Sequence, residues 1–151
     1  NLAPTVPDNK QVTKNDTVFT GTGKNLLFEE MISMTAIFKI SDSIIDDARS
    51  CGTIFWTAEQ FAEINGTPSI SNYGNGTKTQ LTQYRGNAGQ WCSMAPEVAA
   101  KEMADTQYYY MAYVVHSDGS ISYSGILSYT VEQYISNTVG KSSTSESMLS
   151  Q

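Results

Sequence analysis

The sequence predicts an all-β sandwich, and two kinds of observation carry that prediction. From 31 to 40 every even position is apolar and most odd positions are polar, as in a strand with one buried face. Turn signals recur along the chain, most clearly in GNAG at 86–89 and SDGS at 117–120. Short strands separated by such turns, about six to eight of them here, are typical of two packed sheets.

One or two short helical turns are expected between the strands. SDSIIDDARS breaks the alternation and predicts a helical turn, with Ser41 or Asp42 as its N-cap and with Ile44 and Ile45 beneath the sheet. GTIFWT at 52–57, which is β-branched and aromatic, predicts the next strand. TAEQFAEI, which overlaps its end, fits either a second helical turn or an irregular strand. A Gly/Asn-rich surface loop, NGTPSISNYGNGT, follows.

A hairpin is predicted where KTQLTQYR and QWCSM flank GNAG. If residues 86–89 form its loop, Arg85 pairs with Gln90 and Tyr84 pairs with Trp91. The two aromatic side chains would then lie directly opposite each other on one face of the sheet.

A second hairpin is predicted near the end, where YYYMAYVV and SISYSGILSYT flank the SDGS turn. VEQYISNTV then closes the domain as a short helix or a terminal strand. Its expected anchors in the core are Val131, Tyr134 and Ile135.

The chain of 151 residues has the length of one domain. Residues 1–15 carry two prolines and no periodicity, which predicts an N-terminal linker or edge segment, and the Ser-rich residues 140–151 predict a second linker. The module itself is expected at 16–139. Linkers at both ends indicate a piece of a larger multidomain protein, so flanking domains are expected partners.

Charge and hydropathy argue against two classes of partner. The net charge is -6, with 9 basic and 15 acidic residues and no basic cluster, so the electrostatic attraction that drives nucleic-acid binding is missing. No apolar run approaches the roughly 20 residues of a membrane-spanning helix. The chain begins without Met or a signal peptide, which indicates a mature chain or an excised module. Only 16% of residues are charged, and Thr, Ser, Asn, Gly and Tyr are abundant, which favours a secreted, extracellular setting.

The two cysteines leave an alternative open. A disulfide between Cys51 and Cys92 would close a loop of about 40 residues and constrain the unfolded chain. Two buried free thiols are equally compatible with the sequence, because cysteine is often simply a small buried apolar residue.

The segment MADTQYYYMAYVVHSDGSISYSG resembles the final hairpin of fibronectin type III and immunoglobulin-like domains. In that resemblance Tyr108, which follows Thr106, forms a tyrosine corner with the preceding connection. Immunoglobulin domains place this tyrosine one residue later, at Tyr109, which would exchange the inward and outward sets. With Tyr108 at the corner, the residues facing the core are Tyr110, Ala112 and Val114.

The resemblance extends beyond this hairpin. CGTIFWTAEQ is similar to the third strand of bacterial fibronectin-like domains, and the middle of the chain looks like a module of secreted multidomain proteins of Gram-positive gut anaerobes. Some of those proteins handle plant polysaccharides, so the resemblance implies a module like those that bind carbohydrate. Such modules carry many functions, and the fold alone does not decide among them.

Catalysis and metal binding find little support in the sequence. His116 is the single histidine and lacks a recognised nucleophile motif, so we expect a solvated turn residue. Glu29 and Glu30 are adjacent, and a strand would point them to opposite faces. The acidic group at 42–47 lacks the alternating pattern of a calcium loop, so its carboxylates are expected to face water. The sequence predicts no enzyme, no cofactor and no metal site.

The remaining signal is aromatic. A sugar-binding surface needs exposed Trp or Tyr rings for the apolar faces of the sugar, flanked by side chains that bond its hydroxyls. Tyr84 and Trp91 are the expected platform, and Tyr73 reaches in from the loop. The polar margin comprises Gln83, Arg85, Asn87 and Gln90. Alternatively Trp91 is the core aromatic of the sandwich, as Trp56 is expected to be.

A second candidate stripe lies on the last sheet. Tyr109, Met111 and Tyr113 would form it if they face outward. The favoured function is a non-catalytic extracellular carbohydrate-binding module that holds a plant-type polysaccharide and targets a larger enzyme or assembly. The alternative is a structural spacer or protein-interaction module of a cell-surface or multienzyme-complex protein, with no glycan ligand.

Overall fold

The computed structural model describes residues 6–28, 31–96, 98–99, 107–130 and 143–147. Two antiparallel sheets built from these residues confirm the prediction of an all-β sandwich. The strands are β1 (Gly21–Phe28), β2 (Met31–Lys39), β3 (Ser50–Thr57), β4 (Thr77–Gln80), β5 (Thr82–Gln83), β6 (Gln90–Met94), β7 (Val98–Ala99), β8 (Gln107–Val115), β9 (Ile121–Tyr123), β10 (Leu127–Thr130) and β11 (Ser143–Ser147). The helices are a 3₁₀ turn at Asp8–Lys10, α1 (Asp42–Asp47) and α2 (Ala58–Ala62).

The first sheet has the order β11-β1-β2-β6-β5, with β7 pairing β2 as well. The second sheet has the order β10-β8-β3-β4, with β9 also pairing β8. KTQLTQYR was predicted as one strand of a hairpin, but the chain changes sheets at Leu81, which is 3% exposed. β4 therefore pairs with β3, and only β5 pairs with β6. The amide of Leu81 donates to the carbonyl of Cys51 at 3.1 Å, which holds the crossing point between the sheets.

The helical turn predicted in SDSIIDDARS forms, and TAEQFAEI takes the helical one of its two alternatives. α1 places Ile44 and Ile45 against the core between the sheets, as expected. α2 begins with a capping box in which the Thr57 hydroxyl accepts from the amide of Gln60 and the Gln60 side chain accepts from the amide of Thr57. This reciprocal cap explains why TAEQFAEI continues as helix after β3 ends.

The first core fills the space between the sheets. The buried face of β2 is confirmed from Met34 to Ile40 at the even positions. On the opposite sheet, Tyr110, Ala112 and Val114 face the same core, which is the set expected with Tyr108 at the tyrosine corner. The corner itself would involve the connection at 100–106, which lies outside the described residues, as do Val131, Tyr134, Ile135, Glu29 and Glu30.

A second core covers the outer face of the second sheet. β3 contributes Ile54 and Trp56 to it, and α2 together with the loop that follows covers these side chains. The ring of Phe61 stacks on Tyr109 with 4.2 Å between centroids. The predicted binding stripe of β8 is therefore wrong, because these side chains are buried although they face outward. Their exposed fractions are 7% for Tyr109, 0% for Met111 and 6% for Tyr113.

The N-terminal residues contribute to the second core. Val6 and Val12 pack against it, and the Lys10 side chain is buried, with its ammonium 5.8 Å from the centre of the Phe61 ring. That ammonium also donates to the backbone carbonyl of Ile64. At the other end of the chain β11 pairs with β1. The predicted division of the chain at residues 15 and 140 stays a prediction.

Gly76 tests the fit of the loop on the second core. A Cβ atom at this position would lie 2.6 Å from Cδ1 of Trp56 and 2.9 Å from Cγ2 of Ile54. We expect Gly76→Ala to lower the free energy of unfolding by about 1–3 kcal/mol, because the buried indole must shift. Urea unfolding measures the change. Asn75→Ala, at the exposed neighbouring position, is the control and should change stability by less than about 0.5 kcal/mol; equal effects of the two variants would contradict this packing.

Candidate functional site

The hairpin between β5 and β6 carries most of the predicted ligand-binding residues, but in a different register. Gln83, rather than Tyr84, pairs with Trp91. Tyr84 donates its amide proton to the carbonyl of Gln90 at 2.8 Å. Arg85 has a φ of 53° and lies within the connection, which therefore begins earlier than GNAG. Because successive residues of a strand face opposite sides, the expected platform of Tyr84 and Trp91 on one face does not form.

Trp91 has an internal role. Its ring is half-buried and packs against the first core, opposite Phe38 in the β2–β6 ladder. Its indole N–H donates to Oδ1 of Asp42 at 3.1 Å, and the amide of Gly89 donates to the same oxygen at 2.9 Å. One carboxylate at the start of α1 thus holds both the ring and the hairpin loop. The alternative interpretation, Trp91 as a packing residue, matches this geometry.

The other hairpin residues form a small polar surface, which we call the hairpin tip: Tyr84, Arg85, Asn87 and Gln90. The Arg85 guanidinium lies 5.0 Å from the centre of the half-buried Tyr84 ring, within the range of a cation–π contact. The side-chain amide of Asn87 donates to that of Gln90 at 3.3 Å. The tip offers one aromatic ring, one cation and two amides.

Tyr73 does not join the hairpin tip. Its ring packs against the second core, on the outer face of the other sheet. Its backbone carbonyl accepts the indole N–H of Trp56 at 2.8 Å, which fixes the loop to β3. The ammonium of Lys78 lies 5.3 Å from the centre of the Tyr73 ring and 5.9 Å from that of Tyr113. The structure therefore brings together four of the six predicted ligand residues and separates Trp91 and Tyr73 from them.

His116 and the acidic group also have internal partners. Nε2 of His116 lies 2.7 Å from the hydroxyl of Ser122, which also accepts from the Asn15 amide at 2.9 Å. His116 is half-buried rather than a fully solvated turn residue. Asp47 accepts from the Ser117 hydroxyl at 3.0 Å. Within the described part of the chain, no group of three or more His, Cys, Asp or Glu side chains could hold a metal ion.

Both cysteines are free thiols and half-buried. Cys51 lies on β3 in the second sheet, and Cys92 lies on β6 in the first. Burial raises the pKa of the Cys51 thiol, and it raises that of Cys92 as well, although a hydrogen bond from Thr82 partly opposes the shift. Fewer reactive thiolates are present at a given pH when the pKa is raised.

A feature that the sequence did not predict is a cavity of about 140 Å³, which we call the end cavity. Residues of β3, β8 and β10 line it on the side of the second sheet, and the chain just after β6 lines it on the side of the first. Tyr108 and Tyr129 line it together with Ala95 and Pro96. The sequence shows these residue types but not that they line one cavity.

No family model matches the chain, and no curated protein or solved structure matches it either. The fibronectin-like resemblance therefore stays a prediction. None of the described helices is long and apolar enough to cross a membrane.

The Asp42 contact predicts an effect on stability. In Asp42→Ala the Trp91 indole and the Gly89 amide lose their acceptor, so we expect the free energy of unfolding to fall by about 1–3 kcal/mol. Urea unfolding measures the loss. Asp46→Ala, an exposed site on the same helix, should change stability by less than about 0.5 kcal/mol. Similar losses in both variants would assign the effect to helix charge rather than to this contact.

The thiols predict a labelling pattern. With no reductant present, a thiol reagent should titrate 2 cysteines per chain in denaturant. The folded protein should react more slowly at pH 8, and its reaction should accelerate as the pH rises, because raised pKa values reduce the thiolate fraction. Cys92→Ser assigns the two rates. Failure to titrate any thiol in denaturant would contradict the free-thiol state.

Proposed function

We propose that this chain is a non-catalytic structural module of a larger secreted protein, in which it spaces and orients neighbouring domains. The observation that carries the proposal is the burial of the second sheet on both faces. The β8 residues predicted as a second binding stripe, Tyr109, Met111 and Tyr113, pack in the second core instead, and the other face of the sheet packs in the first core. A sheet covered on both sides has little freedom to deform, which suits a rigid spacer.

Three features support an immunoglobulin or fibronectin III-like version of the sandwich. The sheets are antiparallel, β8 is central and long, and its inward residues are those that the resemblance implies. Domains of this architecture commonly stand in series within extracellular proteins. Secretion also agrees with the low proportion of charged residues, 16% of the chain.

A second candidate function rests on the hairpin tip. One tyrosine ring beside Arg85 and two side-chain amides is a combination that can stack on a sugar ring and bond its hydroxyls. A plant-type polysaccharide would be held here by Tyr84 alone among the predicted aromatic residues, and the module would then target a larger enzyme or assembly. The contact area is small, so this function ranks below the structural role.

Affinity electrophoresis separates the two functions. The native protein is run through gels that contain xylan, β-glucan, mannan, pectin or starch. For a structural module we expect the same mobility in every gel as in a gel without polysaccharide. Retardation in one gel that is lost in Tyr84→Ala would overturn the structural role and establish the hairpin tip as a glycan site.

Matched variants keep this result interpretable. Tyr84→Phe retains the ring and removes only the hydroxyl, so a stacking contact would survive in it. Trp91→Phe disrupts the internal contact with Asp42 and should affect stability rather than mobility in polysaccharide gels. Circular dichroism confirms that each variant is folded before it is compared.

A further inference from the structure

The end cavity is open at one end of the sandwich and aromatic inside. The rings of Tyr108 and Tyr129 stack with 5.3 Å between their centroids and 21° between their planes. Phe55, which is 4% exposed, adds a third ring to the wall. Thr77 and Pro96 are exposed lining residues, so the cavity reaches the surface on their side.

Tyr129 carries a polar group that the described residues do not satisfy. The residue is 3% exposed, and its hydroxyl has no hydrogen-bond partner among the described residues. Burial, with smaller contributions from Tyr108 and Tyr110, raises the pKa of Tyr129 far above its usual value. The hydroxyl therefore stays protonated and can donate to an acceptor. Buried polar groups are almost always paired, so one without a partner calls for an explanation.

Gln60 offers a second donor in the lining. Its side-chain oxygen is engaged by the amide of Thr57 at 3.0 Å as part of the capping box. Its NH₂ group has no partner within the described part of the chain. The half-buried position of Gln60 leaves this donor available to a molecule that enters the cavity.

Size and polarity limit the class of molecule that fits. A cavity of about 150 Å³ accommodates a benzene ring in a protein core, and the end cavity has about 140 Å³. Aromatic walls favour a flat ring, which can pack against them by stacking or by its edge. A sugar is a poor fit, because several of its hydroxyls would lose water without gaining partners.

We propose that the end cavity binds a small monocyclic aromatic molecule that carries one hydrogen-bond acceptor, such as a phenol, with its oxygen at the Tyr129 hydroxyl. This site is separate from the hairpin tip and does not depend on the structural role proposed above.

The test is an NMR titration of the whole chain with phenol and with benzene. Both should give saturable shifts at residues that line the cavity, and phenol should bind roughly tenfold more tightly because it gains one hydrogen bond. In Tyr129→Phe, which keeps the ring, phenol and benzene should bind equally. Absence of saturable shifts with either molecule would overturn the proposal, as would an unchanged preference for phenol in Tyr129→Phe.

A cavity-filling variant checks the location. Ala95→Leu places extra carbons in the lining and should abolish binding of both molecules. Met94→Leu, at the neighbouring position that is 53% exposed, should leave both affinities unchanged. Unchanged binding in folded Ala95→Leu would overturn the assignment. If that variant does not fold, the comparison of phenol with benzene in Tyr129→Phe decides.

Discussion

The ladder between β3 and β8 is the interaction on which the rest of the structure depends, because these two strands face a core on each side. Eight residue pairs join them, from Ser50 with Val115 to Thr57 with Tyr108. A strand buried on both faces must be apolar at successive positions rather than at alternate ones. IFW on β3 and YYYMAYVV on β8 meet that demand, and both cores are built on them.

Large rings on such a ladder require small neighbours. A Cβ atom at Gly52 would lie 2.7 Å from the hydroxyl oxygen of Tyr113, so that ring covers bare backbone on the adjacent strand. The loop after α2 approaches Trp56 in the same way, and it also supplies the carbonyl for the indole N–H through Tyr73. The Gly/Asn-rich loop is consequently a structural layer of the domain, although its composition is that of a free surface loop.

The sequence predicted those features that depend on a local period. Alternation identified the buried face of β2, and the resemblance identified the inward set of β8. The sequence did not predict that the outward-facing residues of β8 are buried too. A hydrophobic period shows which face of a strand is buried, but it does not show whether a second layer covers the other face. The continuous apolar run was the available signal.

The predicted register of the hairpin was wrong for a local reason. Arg85 takes a left-handed backbone conformation, which favours glycine, and the connection therefore begins before GNAG. The change of sheet at Leu81 has no local signature, because the same dipeptide, TQ, stands on either side of it.

Composition alone cannot separate a ligand platform from a core, since both collect aromatic rings beside polar groups. The hydrogen-bond partner of each polar atom distinguishes a ligand platform from a core better. Both tryptophans of the chain donate their indole N–H groups internally, Trp56 to Tyr73 and Trp91 to Asp42, which identifies them as packing residues. Tyr129 is different, because it is nearly as deeply buried as Trp56 but its hydroxyl has no partner in the described part of the chain. A buried donor that the described residues leave without an acceptor, beside a cavity, is where an outside molecule can supply one.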